Sequence, residues 1–182
     1  MMNRVRIAII AAVAMLTGAS RGQGSEFVWL EGEAGRANVQ VNNSGWGNAH
    51  FLSEGKWMHI AIDAEKVDAE VKTDAVVVQY PFEAGKAGGY EVWNRIGFEF
   101  ARSPFEWRID DGAWKAVGPD DLTFDLMEIA FFCEVAWIHM GDAQLTPGGH
   151  NLEIRIPKTQ DKDGKIQRLL YACDAICLSQ GP

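Results

Sequence analysis

Short runs in which apolar and polar residues alternate recur along this sequence, separated by clusters of Gly, Pro, Asn and Asp. Alternation with a period of two puts successive side chains on opposite faces and is typical of β-strands. Leu152-Glu153-Ile154-Arg155-Ile156 shows the pattern clearly. The predicted strands are residues 28–34, 57–62, 75–80, 90–96, 105–109, 135–140, 152–156 and 169–178.

The segments between these runs carry turn residues and a single helical pattern. Asp111-Gly112 is a strong signal for a hairpin. Residues 120–128 alone predict a helix, because Asp120 opens the segment and apolar residues follow at helical spacing. Many short strands joined by turns, with one short inserted helix, predict an all-β sandwich.

The first nineteen residues have the features of a secretory signal peptide. Arg4 and Arg6 precede an uncharged apolar run and a group of small residues. The apolar run is too short to span a bilayer comfortably, so we expect cleavage after Ala19 rather than membrane insertion. The sequence therefore predicts a secreted or periplasmic protein in which residues 20–182 form a single domain.

The charge balance narrows the range of partners. The chain contains 25 Asp and Glu against 17 Lys and Arg, a net charge of −8. Removing the signal peptide would take away two of the arginines and leave the domain more acidic. This balance argues against nucleic acid or an anionic membrane as the main partner.

No catalytic constellation is apparent in the sequence. The serines lack a nucleophile-elbow context, and the four histidines lack a metal-binding spacing. His150 is in phase with Leu152 and Ile154, which indicates a hydrogen-bonded core or turn histidine rather than a catalytic base. We therefore expect a protein that is not an enzyme, with paired acids for glycoside hydrolysis as the remaining catalytic alternative.

The three cysteines cannot all form disulfides. Cys173 and Cys177 are four residues apart on one predicted strand, roughly 13 Å at the rise of a strand, whereas a disulfide needs Cα atoms within about 7 Å. A bridge is therefore open only between Cys133 and one of the other two. We expect buried free thiols that pack as small apolar side chains.

Three carboxylates at the two ends of the chain form a candidate ion site. On one predicted strand Glu31 and Glu33 would point the same way, and their repulsion would be relieved by a cation or a basic partner. Asp174 is the single acid in the apolar last strand. If the first and last strands pair, the three converge on one site. The alternative is that both glutamates are solvated edge charges and Asp174 bonds to backbone.

An ordered set of motifs resembles a known family. It begins with Glu31-Gly-Glu33 and continues with Gly89-Tyr90-x-Val92-x-x-Arg95, Trp137, Leu145-x-Pro-Gly-Gly149-His150-x-Leu152-x-Ile154 and Asp174-Ala-Ile176. This set resembles the β-jelly-roll carbohydrate-binding modules of families six and thirty-five and covers most of the mature chain. The resemblance implies a galactose-binding-like sandwich that binds a polysaccharide or oligosaccharide and accompanies a polysaccharide-degrading enzyme.

The same resemblance implies roles for individual residues. Glu31, Glu33 and Asp174 would hold a structural calcium ion, an ion that takes oxygen ligands. The sugar site, in loops at one end of the sandwich, would be formed by Trp46, Asn48 and Trp137.

Two further interpretations belong with this resemblance. Trp29, Trp57 and Trp93 are assigned to packing, because Trp supplies a large buried area. Where many such modules have a ligand-binding Asn, this chain has Ala172. The alternative function is a structural or protein-interaction jelly roll without sugar binding, in which the aromatic residues would be buried or spread apart.

Overall fold

The computed structural model of the protein describes residues 26–45, 47–97, 103–118, 123–130 and 133–181, with only the backbone described at residues 123, 124 and 133. The predicted signal peptide, 1–19, lies outside these residues and stays a prediction. The strands are β1 (Phe27–Glu31), β2 (Arg36–Ala37), β3 (Met58–Ile62), β4 (Ala75–Ala84), β5 (Gly88–Gly97), β6 (Phe105–Ile109), β7 (Lys115–Val117), β8 (Thr123–Ala130), β9 (Cys133–Leu145), β10 (Gly148–Pro157) and β11 (Leu169–Ser179).

The strands form two antiparallel sheets. The front sheet has the order β1-β11-β5-β9-β8, with β3 also paired to β11. The back sheet has the order β2-β4-β10-β6-β7. The β6–β7 hairpin turns at the predicted Asp111-Gly112 position, where the Gly112 N–H donates to Ile109 O. The predicted all-β sandwich is confirmed.

The last strand organises the front sheet. One edge of β11 is shared by two strands: β1 pairs with it from Ala175 to Ser179, and β3 pairs with it from Leu169 to Cys173. The prediction that the first and last strands are neighbours is therefore confirmed. Asp174 lies between the two paired segments, and the β11–β5 register shifts at the same point.

The main core fills the space between the sheets. Its largest fully buried side chains include three tyrosines, Trp107 and several isoleucines. The polar atoms of these aromatic residues are bonded: Tyr80 Oη donates to Gly32 O, and Trp107 Nε1 donates to Met140 O. Because a buried polar group without a partner is costly, these bonds fix the depth at which each ring sits.

The helix predicted over residues 120–128 is wrong for the part that the structure describes. Thr123–Ala130 forms strand β8, paired with β9, and a short α-helix, α1, lies at Val67–Glu70. Two register shifts interrupt the β8–β9 pairing, Asp125 has a φ of 56°, and Leu126 is exposed. These irregularities break strict alternation, so the apolar residues acquire a spacing that resembles a helix. No helix in the described ranges is long and apolar enough to cross a membrane.

Residues 47–57, the covering loop, lie over part of the outer face of the front sheet. Leu52 and Trp57 from this loop join Ile129, Val135 and Ala172 in a second, smaller apolar cluster. The Asn48 N–H donates to Ile129 O and ties the loop to β8. Ala172 is therefore covered by apolar side chains. The rest of the outer face is left open.

Candidate functional site

The open part of the front sheet carries a hollow lined by Trp29, Trp93, Trp137 and Cys177, with a volume of about 430 Å³. Residues that flank the lining residues along the chain, such as Val92 and Asn94, are buried on the inner face. The lining residues therefore point outward. Four adjacent strands, β1, β11, β5 and β9, contribute one lining residue each.

The pairing register places the outward residues in three adjacent rows across these strands. The middle row is Trp29, Cys177, Trp93 and His139. The rows on either side are Phe27, Ser179, Glu91 and Asp142, and Glu31, Ala175, Arg95 and Trp137. Small residues on β11 thus form the floor between the aromatic residues of β1 on one side and those of β5 and β9 on the other.

The rings in the hollow are held in defined positions. Trp29 and Trp137 meet edge to face with ring centroids 5.7 Å apart, and Trp93 lies 4.7 Å from His139. Trp29 Nε1 donates to Glu31 Oε1 at 2.8 Å, and Trp93 Nε1 donates to Glu91 Oε2 at 3.1 Å. Trp29 is nevertheless 43% exposed. Rigid indole rings with exposed surface are suited to stacking against a flat apolar ligand face.

An ion pair between Arg95 and Asp174 lies beside this hollow, under the covering loop. Arg95 donates to Asp174 Oδ2 at 2.7 Å and to Phe51 O at 2.8 Å. The Ser53 N–H donates to Asp174 Oδ1 at 2.8 Å. Burial raises the pKa of Asp174, an effect that these donors oppose and the nearby Glu31 carboxylate reinforces. The pair fastens the loop to the sheet next to Trp137, which is opposite Arg95 in the register.

The two glutamates of the predicted ion site lie close to the last strand but not on one strand. Glu31 ends β1, whereas Glu33 belongs to the 3₁₀ turn Gly32–Ala34, so the expectation that both sit on one strand face is wrong. A Cβ at Gly32 would lie 1.9 Å from Cys173 O, so the turn packs directly on β11. Only glycine permits this approach.

The carboxylates fit a calcium ion in part. Glu31 Oε2 and Glu33 Oε2 are buried and have no hydrogen-bond partner, a state that a cation would relieve. Each oxygen of Asp174 already accepts one hydrogen bond and retains a second acceptor position. Among the residues that the structure describes, no group of three or more His, Cys, Asp or Glu side chains is placed to hold a metal ion.

Two of the three residues predicted to bind sugar are described, and they occupy different parts of the outer face. Trp137 lines the hollow, Asn48 is exposed in the covering loop, and Trp46 lies outside the described residues. The assignment of Trp29 and Trp93 to packing is wrong, because both line the hollow, whereas Trp57 is buried as expected. Pairing the strands would have revealed the hollow, because it puts Trp29 and Trp93 on outward positions. The Glu two residues away from each Trp, which accepts its N–H, lies on the same face.

The histidine prediction agrees with the structure, and the expected buried free thiol is found at Cys173, whereas Cys177 is only partly buried and lines the hollow. Cys173 and Cys177 are free thiols, so neither is bridged to Cys133, and burial raises the pKa of Cys173 to about 12. His150 is hydrogen-bonded on both sides, Nδ1 to Asp110 Oδ2 at 2.7 Å and Nε2 to Thr146 O at 2.8 Å. The hydrogen bond to Asp110 is the largest of the effects that raise the pKa of His150.

Solved structures with the same architecture identify the fold. The chain is similar to a family 35 carbohydrate-binding module from Clostridium thermocellum, with a TM-score of 0.53 and 13% identity over 84% of this chain and 98% of that one. It is also similar to CBM35 from Cellvibrio japonicus Abf62, with a TM-score of 0.50 and 13% identity over 86% of this chain and 95% of that one.

A larger enzyme shows the same likeness over part of its length. The Podospora anserina GH26-CBM35 β-(1,4)-mannanase has a TM-score of 0.55 and 13% identity over 86% of this chain, and this chain spans 28% of the length of that enzyme. No family model matches the sequence, and no curated protein matches it. The fold is thus the β-jelly-roll sandwich of carbohydrate-binding modules, and the resemblance indicated by the sequence motifs is confirmed at the level of the fold.

Proposed function

We propose that this protein is a secreted, non-catalytic carbohydrate-binding module that binds its glycan on the outer face of the front sheet. The observation that carries the proposal is the hollow in which Trp29, Trp93 and Trp137 converge. Soluble proteins rarely expose several large aromatic side chains together unless the patch binds something. Indole rings stack on the apolar face of a sugar ring, and polar groups beside them bind its hydroxyls.

The groups around the hollow are of the kind that such binding requires. The His139 ring lies tilted against Trp93 with its Nε2 atom 3.4 Å from Asp142 Oδ1, and Glu91 and Asp142 border the rings. Asn48, in the loop that covers the other half of this face, and Trp46 stay predictions as further contacts. The interaction-module alternative required Trp46 and Trp137 to be buried or spread apart, and because Trp46 lies outside the described residues that pair stays a prediction. The convergence of Trp137 with Trp29 and Trp93 favours the glycan-binding function.

We also propose a structural calcium ion held by Glu31, Glu33 and Asp174. The support is the buried, unpartnered oxygen on each glutamate and the unused acceptor positions of the aspartate. The ion would neutralise carboxylates that Arg95 alone leaves in excess. Its role would be to hold the start of the chain against β11, since Glu33 lies in the turn that packs there.

Affinity electrophoresis on a panel of neutral, acidic and amino polysaccharides tests the proposed glycan binding. Retention by at least one polysaccharide is expected, and Trp137→Ala should remove it while leaving the melting temperature nearly unchanged. Trp114→Ala is the matched control, because Trp114 lies at the back sheet between Arg108 and Arg155. The proposal is wrong if no polysaccharide retains the protein, or if the Trp137→Ala variant is retained as strongly as the unaltered protein.

A further inference from the structure

The border of the hollow contains two carboxylates directly opposite each other. Glu91 on β5 and Asp142 on β9 are register partners, and both side chains are exposed. Like charges directly opposite on neighbouring strands destabilise a sheet. The fold retains this pair one row away from Trp93, at the edge of the aromatic surface.

The Trp93 ring is bonded in a way that favours a cation over its face. Its N–H group donates to Glu91 Oε2, and the indole of Trp29 donates in the same way to Glu31 Oε1. These bonds use the only polar hydrogen of each indole, so neither ring can donate to a ligand hydroxyl. They also bring a negative charge to the ring edge, which adds to the attraction of the ring face for a cation.

The cations near the hollow already have partners. Arg95 is paired with Asp174, and Lys115 donates to the backbone oxygen of Asp142 and lies over Trp107 of the back sheet. His139 Nε2 is 3.4 Å from Asp142 Oδ1 and carries a charge only when protonated. Glu31 and Asp174 belong to the proposed calcium site, so the carboxylates that remain at the hollow are those of Glu91 and Asp142, with His139 beside Asp142.

We infer that the ligand of the hollow is a polysaccharide whose sugars carry free amino groups, with a ring stacked on Trp93 and its ammonium group at Glu91 and Asp142. This inference rests on the proposed function and specifies its substrate class. An ammonium group would relieve the repulsion between the two carboxylates and lie within reach of the indole face. A uronic-acid polymer would bring a third carboxylate to the same place, and a neutral glycan would leave the repulsion in place.

Isothermal titration with two chito-oligosaccharides of one length, one fully deacetylated and one fully N-acetylated, tests the inference. The titrations are run at one salt concentration and at a pH below the pKa of the sugar amine. The unaltered domain should bind the deacetylated oligosaccharide at least about tenfold more tightly. The double variant Glu91→Gln/Asp142→Asn should lose this preference, because both substitutions keep the side-chain shape and remove the charge.

Two control variants separate specific recognition from general attraction to an acidic protein. Glu65→Gln/Glu70→Gln removes the same charge at exposed positions outside the front sheet, in the segment around α1, and should keep the preference. Trp93→Ala should weaken binding of both oligosaccharides. Equal affinities in the unaltered domain, or a preference that survives Glu91→Gln/Asp142→Asn or is lost equally in the control pair, would overturn the inference.

The failure of the inference is distinguishable from the failure of the proposed function. If the domain binds the N-acetylated oligosaccharide or another polysaccharide equally or better, and Trp93→Ala removes that binding, the glycan site stands and its amino-sugar preference is wrong. If no oligosaccharide or polysaccharide binds, both are wrong. The comparison of the two oligosaccharides with the unaltered domain decides the inference even if a variant fails to fold.

Discussion

The outer faces of the two sheets both carry charged and aromatic side chains, but they differ in how these side chains are paired. On the back sheet, Arg108 pairs with Glu153 and Arg155 pairs with Glu106 across neighbouring strands. The two guanidinium groups also lie 4.4 and 4.3 Å from the ring centroid of Trp114. These two ion pairs and the Trp114 ring are therefore satisfied by the chain itself.

The front sheet leaves the corresponding groups open. Only the N–H edges of Trp29 and Trp93 are bonded, and the ring surfaces face a hollow. Glu91 and Asp142 oppose each other, where the back sheet alternates acid with base. The comparison teaches that aromatic residues on an outer sheet face indicate binding when their ring faces stay open, as in the hollow, because the ring of Trp114 on the back sheet is covered by Arg108 and Arg155.

The largest effect that separates the faces is expected from removing two rings of the hollow. Trp93→Ala/Trp137→Ala should abolish glycan retention in an affinity gel. If about a third of each ring, roughly 70 Å², is buried by the sugar at about 25 cal/mol per Å², the loss for the two rings is about 3.5 kcal/mol, or a few hundredfold in affinity. Trp114→Ala should bind as the unaltered domain does, and equal losses from both faces would contradict the comparison.

Calcium is expected to stabilise the front sheet alone. An ion present at a hundred times its dissociation constant adds about 2.7 kcal/mol to the free energy of unfolding, which raises the melting temperature of a domain of this size by about 5–10 °C. Melting curves in calcium and in a chelator measure this difference. Glu33→Gln should reduce the difference and Glu65→Gln should not; coincident curves for the unaltered domain would exclude a structural calcium ion.

Breaking an ion pair on the back sheet should affect stability without affecting binding. Arg108→Met leaves Glu153 without its guanidinium partner at a position where the glutamate side chain is 10% exposed. We expect a loss of about 1–2 kcal/mol in chemical denaturation, less than for a fully buried pair because Arg108 is 28% exposed. Arg168→Met, which removes the exposed pair with Asp63, should cost under about 0.5 kcal/mol. Altered glycan affinity in Arg108→Met would show that the faces are not independent.

The smallest effect is a pH dependence from the His150–Asp110 pair, which joins β10 to the β6–β7 turn. The pKa of His150 is raised above its usual 6.5, so the stabilisation is fully present below pH 6.5 and is lost as the pH rises through the raised pKa. Burial of Asp110 raises its pKa, but hydrogen bonds from His150 and the Asn151 N–H outweigh it and lower that pKa below 3.8. The stabilisation from Asp110 is therefore lost as the pH falls through the lowered value.

Melting temperatures measured across the pH range check this pair. The contribution of the pair should be largest between about pH 4 and 6.5, and His150→Gln should remove the decline above that window. His59→Gln is a suitable comparison, because burial lowers the pKa of His59 and predicts the opposite trend. A decline above pH 6.5 that persists in His150→Gln would assign it to another group.

The sequence by itself determined most of the strands and the pairing of the first with the last. Alternation at Leu152–Ile156 and the apolar run at residues 169–178 are local signals, and β10 and β11 follow them. The sequence alone also marks the carboxylates of Glu31 and Asp174, because charges inside apolar runs need a partner. Alternation failed at β8, where bulges fixed by pairing with β9 gave apolar residues a helical spacing.

Only the tertiary structure decided which face each strand turns outward. Trp29 lies between Val28 and Leu30, and Trp93 lies between Val92 and Asn94, so a local pattern of apolar residues cannot tell core from surface at either position. The back sheet covers one side of the front sheet and makes Val28, Leu30 and Val92 its core. The three tryptophans are brought together by the register of β1, β11, β5 and β9, which depends on contacts between residues far apart in the chain.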